Sequence, residues 1–457
     1  GHSHQWSGEW TSDAGHHWHE CGGEGCPVME DSGKDGYDAH TPGAWITDQA
    51  ATASKAGSRH KESTVCGYVT ARETIPATGG GSSGGGSSSG GGGWYPGNSG
   101  NVTSSTQRNP DGSTTTVSTN HSTGAVTTTV NRPDGSQSVV EKAKDGTTTS
   151  TEKAKDGSTT VTVRKPDGSS STTLNRADQV TAQTTVDRYG RAQAQVKLPA
   201  QVTQAAQGSG GTIALPIPPL PVTYGGAATL TIQTGRIQPV KVEIPLARAT
   251  PGTVAVLTRS DGSREVVKAS VPTEDGLLLE VSNGAVLTVK DNSKSFSDTG
   301  GHWAQDAIEF VSARELFHGD PASAFDPNGT MTRAMLMTVL ARLDGVATEK
   351  NGSWYAGSMD WAVARGVSDG SNPMGLITRE QLAVMLYRYA GSPAAANKEL
   401  RFTDAQAVSG YAQAAMRWAV EKGILNGYGD GALRPGGSAT RAETAAVLQR
   451  YITVLSK

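Results

Sequence analysis

The spacing of hydrophobic and polar positions changes along the chain, and each change predicts a different architecture. From residue 79 to 93 every residue is Gly or Ser, which predicts a flexible linker within 78–100 because these residues cannot build a core. Polar Thr/Ser/Val strands follow at 101–200, apolar strands at 212–292, and apolar positions with a helical period after 292. The chain is therefore predicted to be multidomain.

The region 101–200 is predicted to be an antiparallel sheet with one strand per repeat. Glycines 124, 135, 146, 157 and 168 are 11 residues apart, and most of them follow an Asp. Asp-Gly favours a tight hairpin turn, because both central residues tolerate a positive φ. Nearly every strand residue is polar, so no face of the sheet can form a conventional core. We expect a thin single-layer stalk, with a disordered spacer as the alternative.

The region 212–292 is predicted to be a separate small β-sandwich-like domain. Short apolar or alternating segments are separated by Gly-containing turns, as sandwiches and barrels require. Neither a His or Cys cluster nor a pair of carboxylates stands out in its sequence. We therefore expect this domain to be a spacer.

The region after 292 is predicted to be an all-α bundle of three repeats, at 294–345, 346–392 and 400–457. Each repeat carries an aromatic-bearing helix, a Gly turn and then a Thr-Arg pair directly before an apolar-periodic helix. A Thr at that position can cap the backbone N–H groups of the helix start. The Arg then lies at the positive end of the helix dipole, where it can bind an anion together with free N–H groups. The alternative is that the Arg ties the helix start to an acidic neighbour, such as Asp298 or Asp404.

These motifs identify a family. The segments 331–334, 377–380 and 439–442 resemble the Thr-Arg-Ala-Glu-like end of the S-layer homology domain, whose copies usually come in threes. The first copy departs from this pattern with Met335 in place of Glu. The second opens with Trp354-Tyr355 rather than Phe-x-Asp. The chain thus resembles an S-layer homology surface protein of Firmicutes.

The resemblance implies non-covalent anchoring to a pyruvylated secondary cell-wall polymer of a Gram-positive-type envelope. In the family, three repeats form a pseudo-threefold bundle with the sugar in grooves between them. The tryptophans can stack on sugar rings, although at helical spacing they also suit the core. The candidate polymer-binding residues are Arg333, Arg379, Arg441, Thr332, Thr378, Thr440, Trp303, Trp361, Trp418, Asp298, Asp404, Gly319, Gly370 and Gly427.

Charge and composition exclude several partners. The chain has 40 basic and 43 acidic residues, a net charge of −3, so no overall field favours nucleic acid or membrane. None of its apolar runs approaches the roughly 20 residues that cross a bilayer, so we expect no transmembrane segment. The chain starts at Gly1 without a signal peptide, and we expect a processed protein or a fragment.

The amino-terminal module, 1–77, contains all three cysteines and several histidines. It resembles a small Cys-rich repeat on surface proteins of gut Firmicutes, in which two Cys pairs would form a zinc-ribbon-like site. Ser63 stands where that pattern has its third Cys, so His40 or His60 must complete the set. The alternative is a degenerate unit with free or oxidised thiols. The candidate ligands of a structural zinc are Cys21, Cys26, Cys66 and His40.

Together these features predict a non-enzymatic protein of the cell wall or S-layer: an anchor, a spacer and an exposed head that binds a host or wall ligand. None of the segments has both the length and the residue pairs of a catalytic domain. The alternative is a wall-targeted enzyme or an adhesin whose active domain lies upstream of these residues.

Overall fold

The structure is a computed structural model that describes residues 6–12, 16–21, 35–39, 42–49, 57–63, 69–75, 101–320, 322–346, 348, 352–394 and 399–456. The chain divides into two compact units, Gly1–Gly97 and Asn98–Lys457. The first contains two three-stranded antiparallel sheets. Their strands, in the order of pairing, are β1 (Trp6–Ser12), β2 (His16–Cys21) and β3 (Asp35–Ala39), then β4 (Pro42–Gln49), β5 (Gly57–Ser63) and β6 (Val69–Ile75).

The second unit begins with an antiparallel meander that has one strand per 11-residue repeat, as the Asp-Gly spacing predicts. In a typical turn, Gly135 has a φ of 86°, and Asp134 Oδ1 accepts hydrogen bonds from the backbone N–H (2.9 Å) and hydroxyl (2.7 Å) of Ser136. The strands are β7 (Val102–Arg108), β8 (Thr114–Asn120), β9 (Ala125–Asn131), β10 (Gln137–Lys142), β11 (Thr148–Lys153), β12 (Thr159–Arg164), β13 (Ser170–Asn175), β14 (Thr181–Val186) and β15 (Ala192–Lys197).

The predicted division between this stalk and a separate β-sandwich-like domain is wrong, because both belong to one 13-stranded sheet. β15 pairs in parallel with β17 (Ala228–Gln233), with Ala194 opposite Leu230. Parallel pairing needs a crossover connection, and helix α1 (Ala200–Gly208), which the sequence pattern did not predict, lies in that connection. Beyond β15 the sheet contains β17 (Ala228–Gln233), β23 (Ala285–Asp291), β19 (Thr253–Thr258) and β20 (Arg264–Val266).

A second, four-stranded sheet packs with this end of the large sheet. It contains, in order, β16 (Ile213–Ala214), β18 (Val240–Pro245), β22 (Gly276–Val281) and β21 (Val271–Pro272). Leu230 and Ile232 of the large sheet share one buried cluster with Val242 and Ile244 of the small sheet. The core therefore begins where cross-strand neighbours change from Thr to aliphatic residues, as from Thr172 through Thr184 and Ala194 to Leu230.

The carboxy-terminal region contains six α-helices and two short 3-10 turns among its described residues. The helices are α2 (Gln305–Ala313), α3 (Arg333–Leu343), α4 (Ala356–Ala364), α5 (Arg379–Tyr389), α6 (Gln413–Glu421) and α7 (Arg441–Ser456), and the turns are Ala405–Ala407 and Gly410–Ala412. The prediction of an all-α bundle is wrong. Isolated antiparallel β-bridges link the repeats: Thr332 to Leu376, Thr378 to Ser438 and Thr330 to Thr440.

None of the helices within the described ranges is long and apolar enough to cross a membrane.

Candidate functional site

Each of the three Thr-Arg pairs starts a helix with a Thr cap, as predicted. The hydroxyl oxygens of Thr332, Thr378 and Thr440 accept from the backbone N–H three residues later, at 3.2, 3.3 and 3.2 Å. In α5 and α7 the side chains of Gln381 and Glu443 also accept from the backbone N–H of the capping Thr, both at 3.1 Å. Repeat 1 lacks this second bond because Met335 stands where α5 and α7 have Gln381 and Glu443.

The helix starts do not offer free N–H groups to an anion, which corrects one step of the sequence argument. The first two N–H groups of α3 donate to the carbonyls of Gly375 (2.9 Å) and Pro373 (2.7 Å) in repeat 2. The same pair of bonds joins α5 to Gly437 and Pro435, and α7 to Gly329 and Pro327. Since the Thr cap takes the third N–H, all three are already bonded.

The Arg side chains hold the loop of the next repeat, so we call Arg333, Arg379 and Arg441 the clasp arginines. Arg333 donates to the Ser371 carbonyl at 3.0 Å and to Asp369 at 2.7 Å. The other two bind backbone carbonyls: Arg379 binds Leu433 (2.9 Å) and Asn426 (2.8 Å), and Arg441 binds Phe325 (2.7 Å) and His318 (3.0 Å). Repeat 3 thus returns to repeat 1, and the three repeats close into a ring.

The two candidate aspartates stabilise the same loops through hydrogen bonds within one repeat. Asp298 accepts from the N–H groups of Phe325 (2.8 Å) and Asp326 (2.7 Å). Asp404 accepts from Leu433 and Arg434, both at 2.7 Å. These bonds hold the pKa of both carboxyls below the usual range.

The candidate glycines are required by packing. A Cβ at Gly319 would lie 2.6 Å from the ring of Phe296, and one at Gly427 would collide with Phe402 in the same way. Gly370 has a φ of 74°, and a Cβ there would approach Val363 to 2.9 Å. In all three cases the absent side chain lets the loop approach its neighbour.

The three candidate tryptophans lie in different environments. Trp303 is 66% exposed, whereas Trp418 is 2% exposed and packs against Tyr387 and Tyr451 in the core. Trp361 is half-buried and donates its indole N–H to Asp344 at 2.9 Å. Only the first of the three presents a largely free ring.

A groove of about 330 Å³ brings Trp303, Arg379 and Gly427 together with residues that the sequence analysis missed: Tyr428, Glu443 and Arg450. We call it the repeat-3 groove. In it, the Arg379 guanidinium lies 4.6 Å from the centre of the Tyr428 ring and 3.8 Å from Glu443, while Tyr428 donates its hydroxyl to Glu443. The acid and the clasp arginine thus already have partners.

Arg450 is the exception in this groove. It is half-buried, and among the described residues it has neither a hydrogen bond nor an ion pair. Burial and the nearby positive charge of Arg379 both lower its pKa. The repeat-3 groove therefore contains an uncompensated positive charge.

The corresponding region of repeat 2 is closed by internal contacts. Asp369 is paired with Arg333, and Glu380 accepts from the hydroxyls of Ser409 and Tyr411, both at 2.8 Å. Both acids are therefore bonded within the protein, and the arginine that matches Arg450, Arg388, is exposed.

Two further sequence signals point to this architecture. A Pro-x-Gly-x-x-Thr-Arg pattern ends at each clasp arginine and supplies the two carbonyls that receive the helix N–H groups. An Arg also follows each clasp arginine nine residues later, at Arg342, Arg388 and Arg450. Aligning the three copies with one another would have found both.

Comparison with known proteins identifies the region. The family model of the S-layer homology domain matches residues 295–334 and 401–445. The chain carries S-layer homology domains. Repeat 2 lies outside the matched residues but has the same Thr cap and clasp arginine.

The chain is also similar to several curated proteins, among them an S-layer protein. The chain is 29% identical to an amylopullulanase of Thermoanaerobacterium thermosulfurigenes over 46% of this chain and 12% of that protein. It is 30% identical to exoglucanase XynX of Acetivibrio thermocellus over 35% of this chain and 16% of the relative. It is 26% identical to the S-layer protein sap of Bacillus anthracis, over 36% of this chain and 22% of the relative. The chain therefore spans less than a quarter of the length of these relatives.

The S-layer homology domains and the S-layer relatives make this a cell-surface protein associated with the cell wall, as the sequence predicts.

The predicted zinc ligands cannot be compared with a site. Cys21 is the last residue of β2, and Cys26, Cys66 and His40 lie outside the described residues. Within the described part of the chain there is no group of three or more His, Cys, Asp or Glu that could hold a metal ion.

Proposed function

We propose that the chain anchors itself non-covalently to an anionic, pyruvate-bearing secondary cell-wall polymer, and that the repeat-3 groove is the principal binding site. The observation that carries this proposal is Arg450, a half-buried cation without an acidic partner among the described residues. Removing a charge from water is costly unless an opposite charge compensates it. A carboxylate on the polymer supplies that charge.

The other groups of the groove suit a sugar acid. The exposed ring of Trp303 offers an apolar face for sugar C–H groups, and Tyr428 and Glu443 present polar edges near Arg450. Arg379 holds the loop through two carbonyls and acts as a positioning residue. In this proposal the Thr-Arg pairs build the groove, and Arg450 contacts the polymer.

The test compares Arg450→Ala with Arg388→Ala, which removes the matching arginine of repeat 2. Loss of a charge-assisted hydrogen bond of about 1.5–3 kcal/mol lowers affinity roughly 10- to 150-fold. We expect this loss for Arg450→Ala in sedimentation with purified walls, a partial loss for Arg450→Lys, and parent-like binding for Arg388→Ala.

Removing pyruvate from the polymer should weaken binding of the parent protein and leave binding of Arg450→Ala unchanged. Parent-like binding of a folded Arg450→Ala variant would contradict the repeat-3 groove as the anion site.

We further propose that these 457 residues form a non-enzymatic anchor, spacer and head. A second candidate is an anchor for a catalytic or adhesive domain outside these residues, because relatives named as amylopullulanase and exoglucanase share only 12% and 16% of their length with the chain. Assays of the chain on pullulan, xylan and cellulose should show no hydrolysis. Turnover on any of them would contradict the non-enzymatic proposal.

We also propose that the head, residues 1–77, binds one structural zinc through Cys21, Cys26, Cys66 and His40. We propose in addition that this module binds a host or wall ligand. Three thiolates and one imidazole form an acceptable tetrahedral set. Elemental analysis of tag-free protein should find close to one zinc per chain, and Cys26→Ser should remove it. Metal-free protein whose spectrum is unchanged by chelator would contradict the proposal.

A further inference from the structure

A second cleft lies between repeat 1 and residues 212–292, which we call the β region, and the polymer site does not account for it. It encloses about 990 Å³, against about 330 Å³ for the repeat-3 groove. These values lie near the two ends of the range typical of ligand pockets, about 300–1,000 Å³. We call it the repeat-1 cleft. The lining residues that matter here are Tyr224, Lys268, Ser312, Glu315, His318 and Arg342.

The two walls of the repeat-1 cleft are held rigidly together. Arg314 is fully buried and donates to the carbonyls of Ser270, Pro251 and Thr253 in the β region and of Phe310 in α2. Lys268 of the β region pairs with Glu315 of repeat 1 at 2.7 Å. Because these bonds join the walls directly, the cleft is preformed, and a ligand need not order it.

The charged lining residues balance, with Lys268, Lys294 and Arg342 against Glu265, Glu315 and Asp320, so the cleft suits an uncharged polyhydroxyl ligand. The hydroxyl of Ser312 is buried and has no hydrogen-bond partner among the described residues, although buried hydroxyls are normally bonded. Lys268 and Glu315 neutralise each other, and burial, with Arg342 nearby, lowers the pKa of His318 and so disfavours a positive charge on its ring. The repeat-3 groove, by contrast, contains the uncompensated Arg450.

An aromatic platform completes the site. Tyr224 lines the cleft from the β region and is 74% exposed. An exposed phenol ring can pack against the C–H face of a sugar while its hydroxyl stays in water. Volume, rigid walls, an unpartnered hydroxyl and an aromatic face therefore occur together.

We propose that the repeat-1 cleft binds an uncharged stretch of several sugar units of a wall glycan, which makes the β region part of the binding surface rather than a spacer. This inference rests on the proposed wall-anchoring function, but it concerns a different site and a different ligand chemistry. The glycan has two possible sources: the backbone of the secondary polymer, or the glycan strands of peptidoglycan.

The experiment measures binding of the full chain to two probes by calorimetry. One probe is secondary polymer from which the acidic substituents have been removed, in short and long fragments, and the other is purified peptidoglycan glycan strands. We expect longer fragments of at least one probe to bind more tightly than mono- or disaccharides. Tyr224→Ala should lower that affinity about three- to tenfold, the size of one lost aromatic contact.

Tyr189→Ala provides a matched control, because Tyr189 is a 67% exposed tyrosine in a stalk turn. Ser312→Ala should also weaken binding if its hydroxyl meets the glycan, whereas a purely structural serine would leave affinity unchanged. Equal effects of the two tyrosine variants, or no binding of either probe, would overturn the proposal. Binding of only one probe supports it and identifies the source.

The two proposals fail separately. Arg450→Ala should leave binding of the uncharged probes unchanged, and Tyr224→Ala should leave binding of short pyruvate-bearing fragments unchanged. If Arg450→Ala binds acidic polymer as tightly as the parent does, that result counts against the repeat-3 groove alone. If Tyr224→Ala binds uncharged glycan as tightly as the parent does, that result counts against the repeat-1 cleft alone.

Discussion

Repeats 2 and 3 share a Thr cap and a clasp arginine, yet Arg450 of repeat 3 is half-buried in a groove, whereas the matching Arg388 of repeat 2 is exposed. The difference lies in loop length. Eight residues separate Asn426 from Pro435, and also His318 from Pro327 in repeat 1, but only three separate Asp369 from Pro373. The long loops border the repeat-3 groove and the repeat-1 cleft. A shared motif therefore builds the ring, and the loop beside it decides whether a site is formed.

The largest difference in stability between the repeats is expected on substitution of the clasp arginines. Arg379 is 4% exposed and bonded to two carbonyls, whereas Arg333 pairs with the exposed Asp369. Arg379→Ala should lower the free energy of unfolding by about 3 kcal/mol, since it leaves buried acceptors unpaired. Arg333→Ala should cost about 1 kcal/mol.

Urea unfolding followed by tryptophan fluorescence measures both changes, because Trp418 is buried in the core. Arg379→Lys should fall between the parent and Arg379→Ala, since an ammonium group cannot reproduce the guanidinium fork. Equal losses for the two alanine variants would show that burial does not distinguish the repeats.

The Thr caps give a smaller effect. Thr440→Ala removes a cap that belongs to a reciprocal pair with Glu443, and it should cost about 1 kcal/mol. Thr332→Ala should cost a few tenths less, because repeat 1 has only one of the two bonds. Conversely, Met335→Glu should stabilise repeat 1 slightly. Thermal unfolding compares the three variants, and a destabilised Met335→Glu would contradict the cap interpretation.

Acid pH should affect the long loops through Asp298 and Asp404, for which repeat 2 has no counterpart. Backbone N–H bonds lower the pKa of both carboxyls in the folded state. Their stabilisation is therefore complete above the unfolded pKa near 3.9 and is lost as pH falls through the lower folded value. Asp404→Asn should be less stable than the parent at neutral pH, and its stability should fall less below pH 4.

Urea midpoints measured at neutral and acid pH would test this. If Asp404→Asn loses stability on acidification as steeply as the parent does, the carboxylate of Asp404 does not cause the acid sensitivity.

The smallest change is expected in repeat 2. Glu380 is bonded to Ser409 and Tyr411, so Glu380→Gln should alter wall binding by less than about twofold. Sedimentation with walls provides the measurement, with Arg450→Ala as the positive control. A loss comparable to that of Arg450→Ala would show that repeat 2 also contains a polymer site.

The sequence predicted the local parts of this molecule. The 11-residue Asp-Gly period places each stalk turn, because a turn depends on neighbouring residues such as Asp134, Gly135 and Ser136. The Thr caps follow for the same reason, since cap and recipient are three residues apart. The family was also predicted, from three copies of a short motif.

Only the tertiary structure decided which residues are free to act. Free helix N–H groups were expected at the Thr-Arg pairs, but carbonyls from the next repeat occupy them. The parallel pairing of β15 with β17 joined two regions that the turn pattern had separated, and Arg314 joined the β region to repeat 1. Arg441 bonds Phe325, 116 residues away, and the charge on Arg450 matters because Glu443, the acid of its groove, is bonded to Arg379 and Tyr428 instead. Such pairings depend on packing between distant segments, which no local pattern encodes.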